Sequence, residues 1–310
     1  MRVCVIYNPR VVSDNMLAQL LPRNRHDPTC ELWPTDGPND AQRLAQLAVQ
    51  RQYDRVVVAG GDGTVGQAVQ GIVPDCPSME LGILPFGTGN DLARSLGINP
   101  ELLGLASSYA FGTRTAPLDL IRLSDTSPRY CINVANGGFG GRVANDVQSI
   151  DKQRWGALAY WMTSVIDLVY IPEFSIELSI DDQPPIYRTV IGVAIANGKF
   201  VGGGFPIAPQ AIMNDGWLDV ILIPPLPSFD LMTTGLGFML GFEQLAASVD
   251  TYRARRVQLR SNPPMPFSID GELAQCDEMT FEIVPAALQV LIGDYPAAID
   301  ESRLDVGEND

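Results

Sequence analysis

The stretch "RVVVAGGDGTVGQAVQ", Arg55–Gln70, decides the fold. A run of β-branched residues, Val56–Val58, stops in Gly60-Gly61-Asp62-Gly63-Thr64, and apolar residues then recur at helical spacing. Glycine at three of five positions strips side chains from the point where a strand ends. Such a backbone takes positive φ readily and lets another group come very close.

The same grammar recurs on either side. "PFGTGND", Pro85–Asp91, lies between a strand at Leu81–Leu84 and a helix over Asp91–Leu96. Val3–Tyr7 is a short apolar run, Pro38–Gln52 places Leu44, Leu47 and Ala48 at helical spacing, and Thr64–Val73 reads as a helix. Strand–helix alternation predicts an α/β domain with a mostly parallel sheet covered on both faces. Ligands of such sheets bind outside the carboxyl ends of the strands, where both glycine-rich loops fall.

From about Asp119 strand patterns dominate. Phe174–Ile180 alternates strictly, "DDQPP" follows as a turn, and Thr189–Ala196, Leu218–Ile223, Thr280–Val284 and Gln289–Ile292 read as further strands. Two helix candidates interrupt them, Lys152–Tyr170 and Phe229–Ala247. The pattern predicts a second, mainly antiparallel β domain with a sandwich-like core. The expected division is residues 1–118 for the α/β domain and 119–292 for the β domain, with the tail 293–310 packing back on the first.

Composition narrows the function. The 310 residues are 46% hydrophobic and carry a net charge of −15. A surface of that sign is repelled by nucleic-acid phosphates, which excludes DNA and RNA as expected partners, and by anionic lipid. Five scattered cysteines without a C-x-x-C fit a reducing cytosol. The opening "MRVCVIYNPR" reads as a first strand rather than a signal peptide. The most apolar helical stretch, Trp155–Ile171, contains Asp167 and is shorter than the roughly 20 residues a spanning helix needs. A cytoplasmic protein with no transmembrane segment is expected, touching the inner membrane face peripherally at most. That aromatic helix reads as a core helix, or as one wall of an acyl-chain groove.

A Walker P-loop is excluded, since G-x-x-x-x-G-K-[ST] does not occur. The Gly60–Thr64 glycines still suit an anion, aided by the free N–H groups and positive dipole end of the helix that follows. Thr64 is placed to cap that helix or to touch a phosphate. Asp62 beside phosphates calls for a divalent cation between them, which points to Mg²⁺ shared with a nucleotide. Gly87, Thr88 and Gly89 repeat this chemistry, with Asn90 and Asp91 where an N-cap belongs. Either loop alone is equally an ordinary strand-ending turn.

Together these residues carry a resemblance. "GGDGT" (Gly60–Thr64) and "PFGTGNDLARSL" (Pro85–Leu96) resemble the diacylglycerol kinase catalytic superfamily, which includes bacterial diacylglycerol kinases, sphingosine and ceramide kinases and related bacterial lipid kinases. "NVANGGFGGRV" (Asn133–Val143), "ANGKFVGGGFPIAPQAIMNDGWLDV" (Ala196–Val220) and "FSIDGE" (Phe267–Glu272) extend it, in family order, over nearly the whole chain. The resemblance implies a phosphofructokinase-like α/β domain, a β-sandwich domain and ATP in the cleft between them. It assigns phosphate contacts to Gly60, Gly61, Asp62, Gly63 and Thr64, with Gly87 and Thr88 from the second loop and Thr35 of "WPTDGPNDA" beside them. Thr35 also reads as a helix-entry residue. The family's first loop, N-P-x-S-G with further glycines, is replaced here by Asn8-Pro9-Arg10-Val11-Val12-Ser13-Asp14. Asn8 keeps its place against the nucleotide, but the loop after it must run differently.

The resemblance also makes Glu272 the catalytic base, accepting the proton of a lipid hydroxyl. Asp270 and Gly271 fit a hairpin turn without further explanation. Asp62 and Asp91 are the candidates for the catalytic Mg²⁺, with Asp119 a third that reads equally as an edge-strand polar residue. A structural Mg²⁺ or similar ion is implied at the Ile212 carbonyl, the Asp215 side chain and the Trp217 carbonyl, against an ordinary N-D-G turn. Lys199 and Gly202–Gly204 are candidates for the wall opposite the phosphates, against the commoner reading of a lone lysine beside glycines as solvated, while His26, in "PRNRHDP", reads as a surface residue.

The sequence thus predicts an ATP-dependent lipid kinase acting at a membrane surface. A homodimer is neither required nor excluded. Two alternatives stay open: a catalytically weak nucleotide- or lipid-binding regulator, and an NAD kinase. The latter shares GGDG but carries an N-E motif absent from this chain.

Overall fold

The computed structural model describes residues 1–21, 30–73, 76, 78–124, 129–138, 172–227, 230, 234, 237 and 249–304, the side chains of 275 and 276 excepted. Two compact units divide it. The first comprises Met1–Leu120, Ile212–Gly216 and Val284–Asp310, and the second Ile121–Ala211 and Trp217–Ile283. His26, the Lys152–Tyr170 helix candidate and residues 139–143 of Asn133–Val143 lie outside the described residues. So does most of Phe229–Ala247, whose described members Asp230, Thr234 and Gly237 are helical.

The first unit alternates as the glycine-punctuated sequence requires. Its order is β1 (Val3–Tyr7), α1 (Asp14–Leu20), β2 (Cys30–Pro34), α2 (Asp40–Gln50), β3 (Arg55–Gly60), α3 (Asp62–Ile72), β4 (Glu80–Pro85), α4 (Asp91–Ser95) and α5 (Leu103–Ala110). β2, β1, β3 and β4 lie side by side in that order, all parallel. β1 and β3 are buried along their whole length, as parallel strands covered on both faces must be. Val3, Val5, Tyr7, Leu17, Val57, Ala59 and Leu84 form one core cluster. α2 turns Ala41, Leu44, Ala45 and Ala48 inward; of the expected Leu44, Leu47 and Ala48, Leu47 is only half-buried.

The start of β3 is fixed by charge as well as by packing. Arg55 is 2% exposed, and its Nε donates to Glu80 at 2.7 Å while a terminal nitrogen donates to the Ala110 carbonyl at 3.2 Å. Arg55 and Glu80 are register partners, so this pair locks β3 against β4 where both begin.

The remaining strands are β5 (Thr115–Ser124), β6 (Arg129–Cys131), β7 (Val134–Gly138), β8 (Phe174–Ile180), β9 (Ile186–Val190), β10 (Gly192–Ala196), β11 (Leu218–Ile223), β12 (Asp250–Ala254), β13 (Arg256–Ile269) and β14 (Glu272–Leu291). In the second unit β12, β11, β10, β7, β13 and β14 follow one another, antiparallel throughout, with β8 also on β13 and β9 on β8. The partner of β13 changes from β8 to β7 along its length, across an irregularity between Arg260 and Met265. Pro263 and Pro264 sit there, and neither has an N–H for a ladder. Its core gathers Ile176, Leu178, Val193, Ile195, Val220, Val257, Leu259, Phe267 and Phe281.

Three expected elements change. Thr189–Ala196 is two strands, β9 and β10, separated at Ile191. Thr280–Val284 and Gln289–Ile292 are parts of one strand, β14; Pro285 suggests a break, but the chain passes it with Ala286 at φ +49° and resumes pairing, Gln289 and Val290 running parallel to β4. The helix expected from Thr64 begins two residues earlier, at Asp62.

Candidate active site

In the first unit the parallel register brings the strand ends level. Tyr7 lies opposite both Pro34 and Ala59, and Gly60 opposite Pro85. Asn8, Thr35, Gly61 and Phe86 are therefore the first residues past one sheet edge. Two hydrogen bonds continue the pairing beyond it, Thr35 N to Tyr7 O at 2.8 Å and Phe86 N to Gly60 O at 3.0 Å. Asn8, Thr35, Gly60–Thr64, Gly87 and Thr88, expected to contact the nucleotide, all come from segments that leave this edge.

The two glycine loops pack backbone against backbone. A Cβ on Gly61 would lie 2.8 Å from the Gly87 Cα, and one on Gly87 would lie 2.8 Å from Asn90 Oδ1 besides colliding with Gly61. These glycines are required by the protein itself. Gly63 is different: a Cβ there meets nothing within 4 Å, so no steric contact explains a glycine in the first turn of a helix. Gly61 is the N-cap of α3 and makes no side-chain cap, and the first N–H groups of a helix have no partner inside it. Thr64 N donates back to Gly61 O at 3.0 Å, so the first turn of α3 turns the Asp62 and Gly63 amides and the positive end of an 11-residue helix toward this edge. Thr64 belongs to that turn and does not cap it, contrary to the expected helix start; its side chain packs against Gly60 instead.

The acids and amides of the loops are tied together. Asn90 occupies the N-cap of α4 at φ +53° but does not cap it. Its side chain instead closes on Gly87, accepting from Gly87 N at 2.8 Å and donating to Gly87 O at 2.7 Å. The cap comes from the other loop, with Asp62 Oδ1 accepting from Leu92 N at 3.2 Å. Asp91 opens α4 and is 7% exposed, and Thr88 is exposed. At the β1 end, Asn8 O accepts from Val11 N and Val12 N at 3.0 and 2.9 Å, and Asn8 Oδ1 accepts from Arg10 N at 3.0 Å. Val12 is fully buried and Ser13 caps α1 through Met16 N. A turn closed by the oxygens of Asn8 thus stands where the resembled family's loop carries glycines.

Asp119 does not behave as an edge-strand residue. It is 3% exposed, and its two oxygens accept from Gly216 N at 2.6 Å and Ala286 N at 2.8 Å. Burial pushes its carboxyl above the usual range, and those two amides pull it back. It thereby pins the Ile212–Gly216 turn and steadies β14 at Ala286. The same turn is held by Met213 N on Ala298 O at 2.7 Å and by Asn214 and Asp300, which exchange bonds at 3.0 and 2.9 Å. Gly216 has φ +78°.

In the second unit Ile269 pairs with Glu272, and Asp270 and Gly271 between them have φ +46° and +90°. Both values are positive, as the tightest hairpin turns demand. Glu272 is exposed at the head of β14. Trp217 opens this unit's second segment, with the guanidinium carbons of Arg255 and Arg253 at 4.8 and 5.4 Å from its ring centre. Lys199 is half-buried, and burial holds its ammonium below the usual range. Gly202, Gly203 and Gly204 beyond it all have positive φ.

Every donor assigned above to a cation is oxygen: carboxylates of Asp62, Asp91 and Asp215, and main-chain carbonyls. That set fits a hard divalent ion such as Mg²⁺, which takes few protein ligands beside water and phosphate oxygens. Among the described residues no three or more His, Cys, Asp or Glu side chains converge, and no helix is long and apolar enough to cross a membrane. Sequence reading missed the cap that Asp62 gives α4 and the closure of Asn90 on Gly87. The three-residue spacing from Gly87 to Asn90 was the signal for the second.

The chain compares with known proteins along most of its length. The family model described as the diacylglycerol kinase catalytic domain matches residues 2–123, and that described as the YegS C-terminal NAD kinase β-sandwich-like domain matches residues 133–292. A protein of Xanthomonas euvesicatoria pv. vesicatoria named "Probable lipid kinase YegS-like" is 33% identical over 83% of this chain and 85% of its own. A namesake from Stenotrophomonas maltophilia is 32% identical over 81% and 82%. The crystal structure of a diacylglycerol kinase from Bacillus anthracis shares the fold, with a TM-score of 0.73 at 18% identity over 94% of this chain and 97% of that one. An NAD kinase from Archaeoglobus fulgidus, crystallised with ATP, shares it more distantly, with a TM-score of 0.54 at 15% identity over 95% and 94%.

Proposed function

The chain belongs to the diacylglycerol kinase catalytic-domain family with a YegS-type C-terminal domain, and on that premise we propose that it is an ATP-dependent lipid kinase. It transfers the γ-phosphoryl group to a hydroxyl of diacylglycerol or a related lipid. Kinship over more than four-fifths of the chain to proteins named as lipid kinases carries the reading. The open flank of Gly63 at the start of α3 agrees with it.

In this reading the first-turn amides of α3 receive the polyphosphate, with Gly60, Gly61, Thr64, Gly87 and Thr88 around it and Asn8 and Thr35 along the same edge. Asp62 and Asp91 would hold Mg²⁺. The bound ion supplies charge neutralisation on the phosphates and on the phosphoryl group in flight. Glu272 takes the proton of the lipid hydroxyl as its oxygen bonds to the γ-phosphorus and the bond to the β–γ bridging oxygen breaks, leaving ADP. Ile212, Asp215 and Trp217 would hold a second, structural cation. The lipid is met at a membrane surface.

The test is transfer from γ-labelled ATP to vesicles containing a panel of lipids headed by diacylglycerol, with and without Mg²⁺. Labelled lipid is expected, abolished by chelation. Glu272→Gln should bind ATP as before while transfer falls by about 10²-fold or more. The self-closed Asn8 turn favours one rival, a regulator that binds nucleotide without turnover; tight ATP binding with no labelled lipid would establish it. Label on NAD would establish an NAD kinase.

A further inference from the structure

A two-residue turn at Asp270-Gly271 needs nothing from its aspartate but a tolerance of positive φ. Asp270 nevertheless aims its carboxylate at the residues that join β6 to β7. Oδ2 accepts from Ile132 N at 2.7 Å, and Oδ1 accepts from Asn133 N at 3.0 Å and from the Cys131 thiol at 3.2 Å. Its own N–H reaches Val134 O at 3.4 Å. The side-chain partners lie 137 to 139 positions away, so this clamp is tertiary and no part of the turn. Two main-chain N–H groups converging on one side chain suit a carboxylate. An asparagine would set an NH₂ group against one of them.

The link that receives Asp270 is itself fixed. Asn133 O accepts from Asn197 N at 2.9 Å and Gly198 N at 3.0 Å, Asn133 Nδ2 donates to Phe200 O at 2.8 Å, and Asn197 Nδ2 donates to Ile132 O at 2.9 Å. Asn133 and Asn197 are 6% and 1% exposed. The hairpin tip is thus fastened to the same buried link that holds the segment bearing Lys199. Cys131 stays a donor, because burial, with the Asp270 charge and the bond between them, holds its thiol protonated.

Glu272 follows Asp270 by two residues and is exposed. Glu272 pairs with Ile269 at the end of the ladder, and the clamp on Asp270 fixes the main chain from which its side chain projects. We propose that Asp270 is the positioning residue of the Glu272 base: its carboxylate, bonded to the Ile132 and Asn133 amides, sets the direction from which Glu272 meets the acceptor hydroxyl. The proposal rests on the lipid kinase reading. Asp270 touches neither nucleotide nor lipid in this role.

The experiment measures kcat and the KM for ATP in the diacylglycerol vesicle assay for wild type, Asp270→Asn and Asp270→Glu, each checked for folding by circular dichroism. Both variants are expected to lose about 10- to 100-fold in kcat, the cost of misplacing a catalytic group by about an ångström, with the KM for ATP within about twofold. Glutamate keeps the charge, so its failure to rescue separates position from electrostatics. Combined with Glu272→Gln, Asp270→Asn should cost nothing further. Wild-type kcat in a folded Asp270→Glu, a parallel change of kcat and KM, or additive loss in the double variant each overturns the proposal while leaving the kinase reading in place. Absence of transfer to any lipid by wild type overturns both.

Discussion

At Gly63 an added methyl group meets open space, whereas at Gly61 it lies 2.8 Å from the backbone of the facing loop. Identical residues two positions apart are thus glycines for opposite reasons. Gly61→Ala should destabilise the fold by about 1–3 kcal/mol through overpacking. Gly63→Ala should stabilise it by about 0.5–1 kcal/mol, because alanine is the better helix former, while raising the KM for ATP. Urea unfolding and initial-rate kinetics on the two variants check this. An unchanged KM in Gly63→Ala would remove the start of α3 from the nucleotide site. The GGDGT string marked all three glycines for phosphate contact. It was silent on which were needed by the protein, since that depends on Gly87, 26 residues from Gly61 in the chain and touching it only in the fold.

Helices α3 and α4 are joined by a side chain that belongs to the first and caps the second. Asp62 Oδ1 accepts from Leu92 N because Asn90, seated at the N-cap, spends its amide on Gly87. Asp62→Ala should therefore cost about 1 kcal/mol as a lost cap, on top of any loss of activity. Asp62→Asn keeps an acceptor for Leu92 and should hold most of that stability while transfer collapses for want of a carboxylate toward Mg²⁺. Unfolding curves beside the lipid assay separate the two contributions, and full activity in Asp62→Asn would take Asp62 out of the metal's reach. Helix existence was legible from apolar spacing in α2 and α3. Helix starts were not, because the cap of α4 comes from outside its own segment. β14 shows the same limit: Pro285 reads as a strand end, and Asp119, donated by β5, lets the strand continue.

Over the whole molecule, the first unit buries protons that it must keep. Burial pushes the Cys4 thiol up from 9.0 to about 12, with Glu31 and Cys30 adding to it. Burial and then the bond to Asp14 push the Tyr7 hydroxyl from 10.0 to about 12. Both groups hold protons more tightly folded than unfolded. Their contribution to stability is complete below pH 9, and it drains away as the pH climbs toward 12 and the unfolded chain deprotonates first. Unfolding free energy should fall across that window, and Cys4→Ala should flatten the fall by up to about 1.4 kcal/mol per pH unit, one proton's worth. An equally steep fall in the variant would exclude Cys4 as a source. By itself the sequence determined that this chain alternates strand and helix before about Asp119 and turns to antiparallel strands after it, because apolar period and glycine placement are local properties. It also named the loops at the strand ends. Only the tertiary structure decided which glycine lacks a neighbour, which acid caps which helix and what the hairpin aspartate holds. Each of those is a contact between residues far apart in the chain, and no local pattern encodes it.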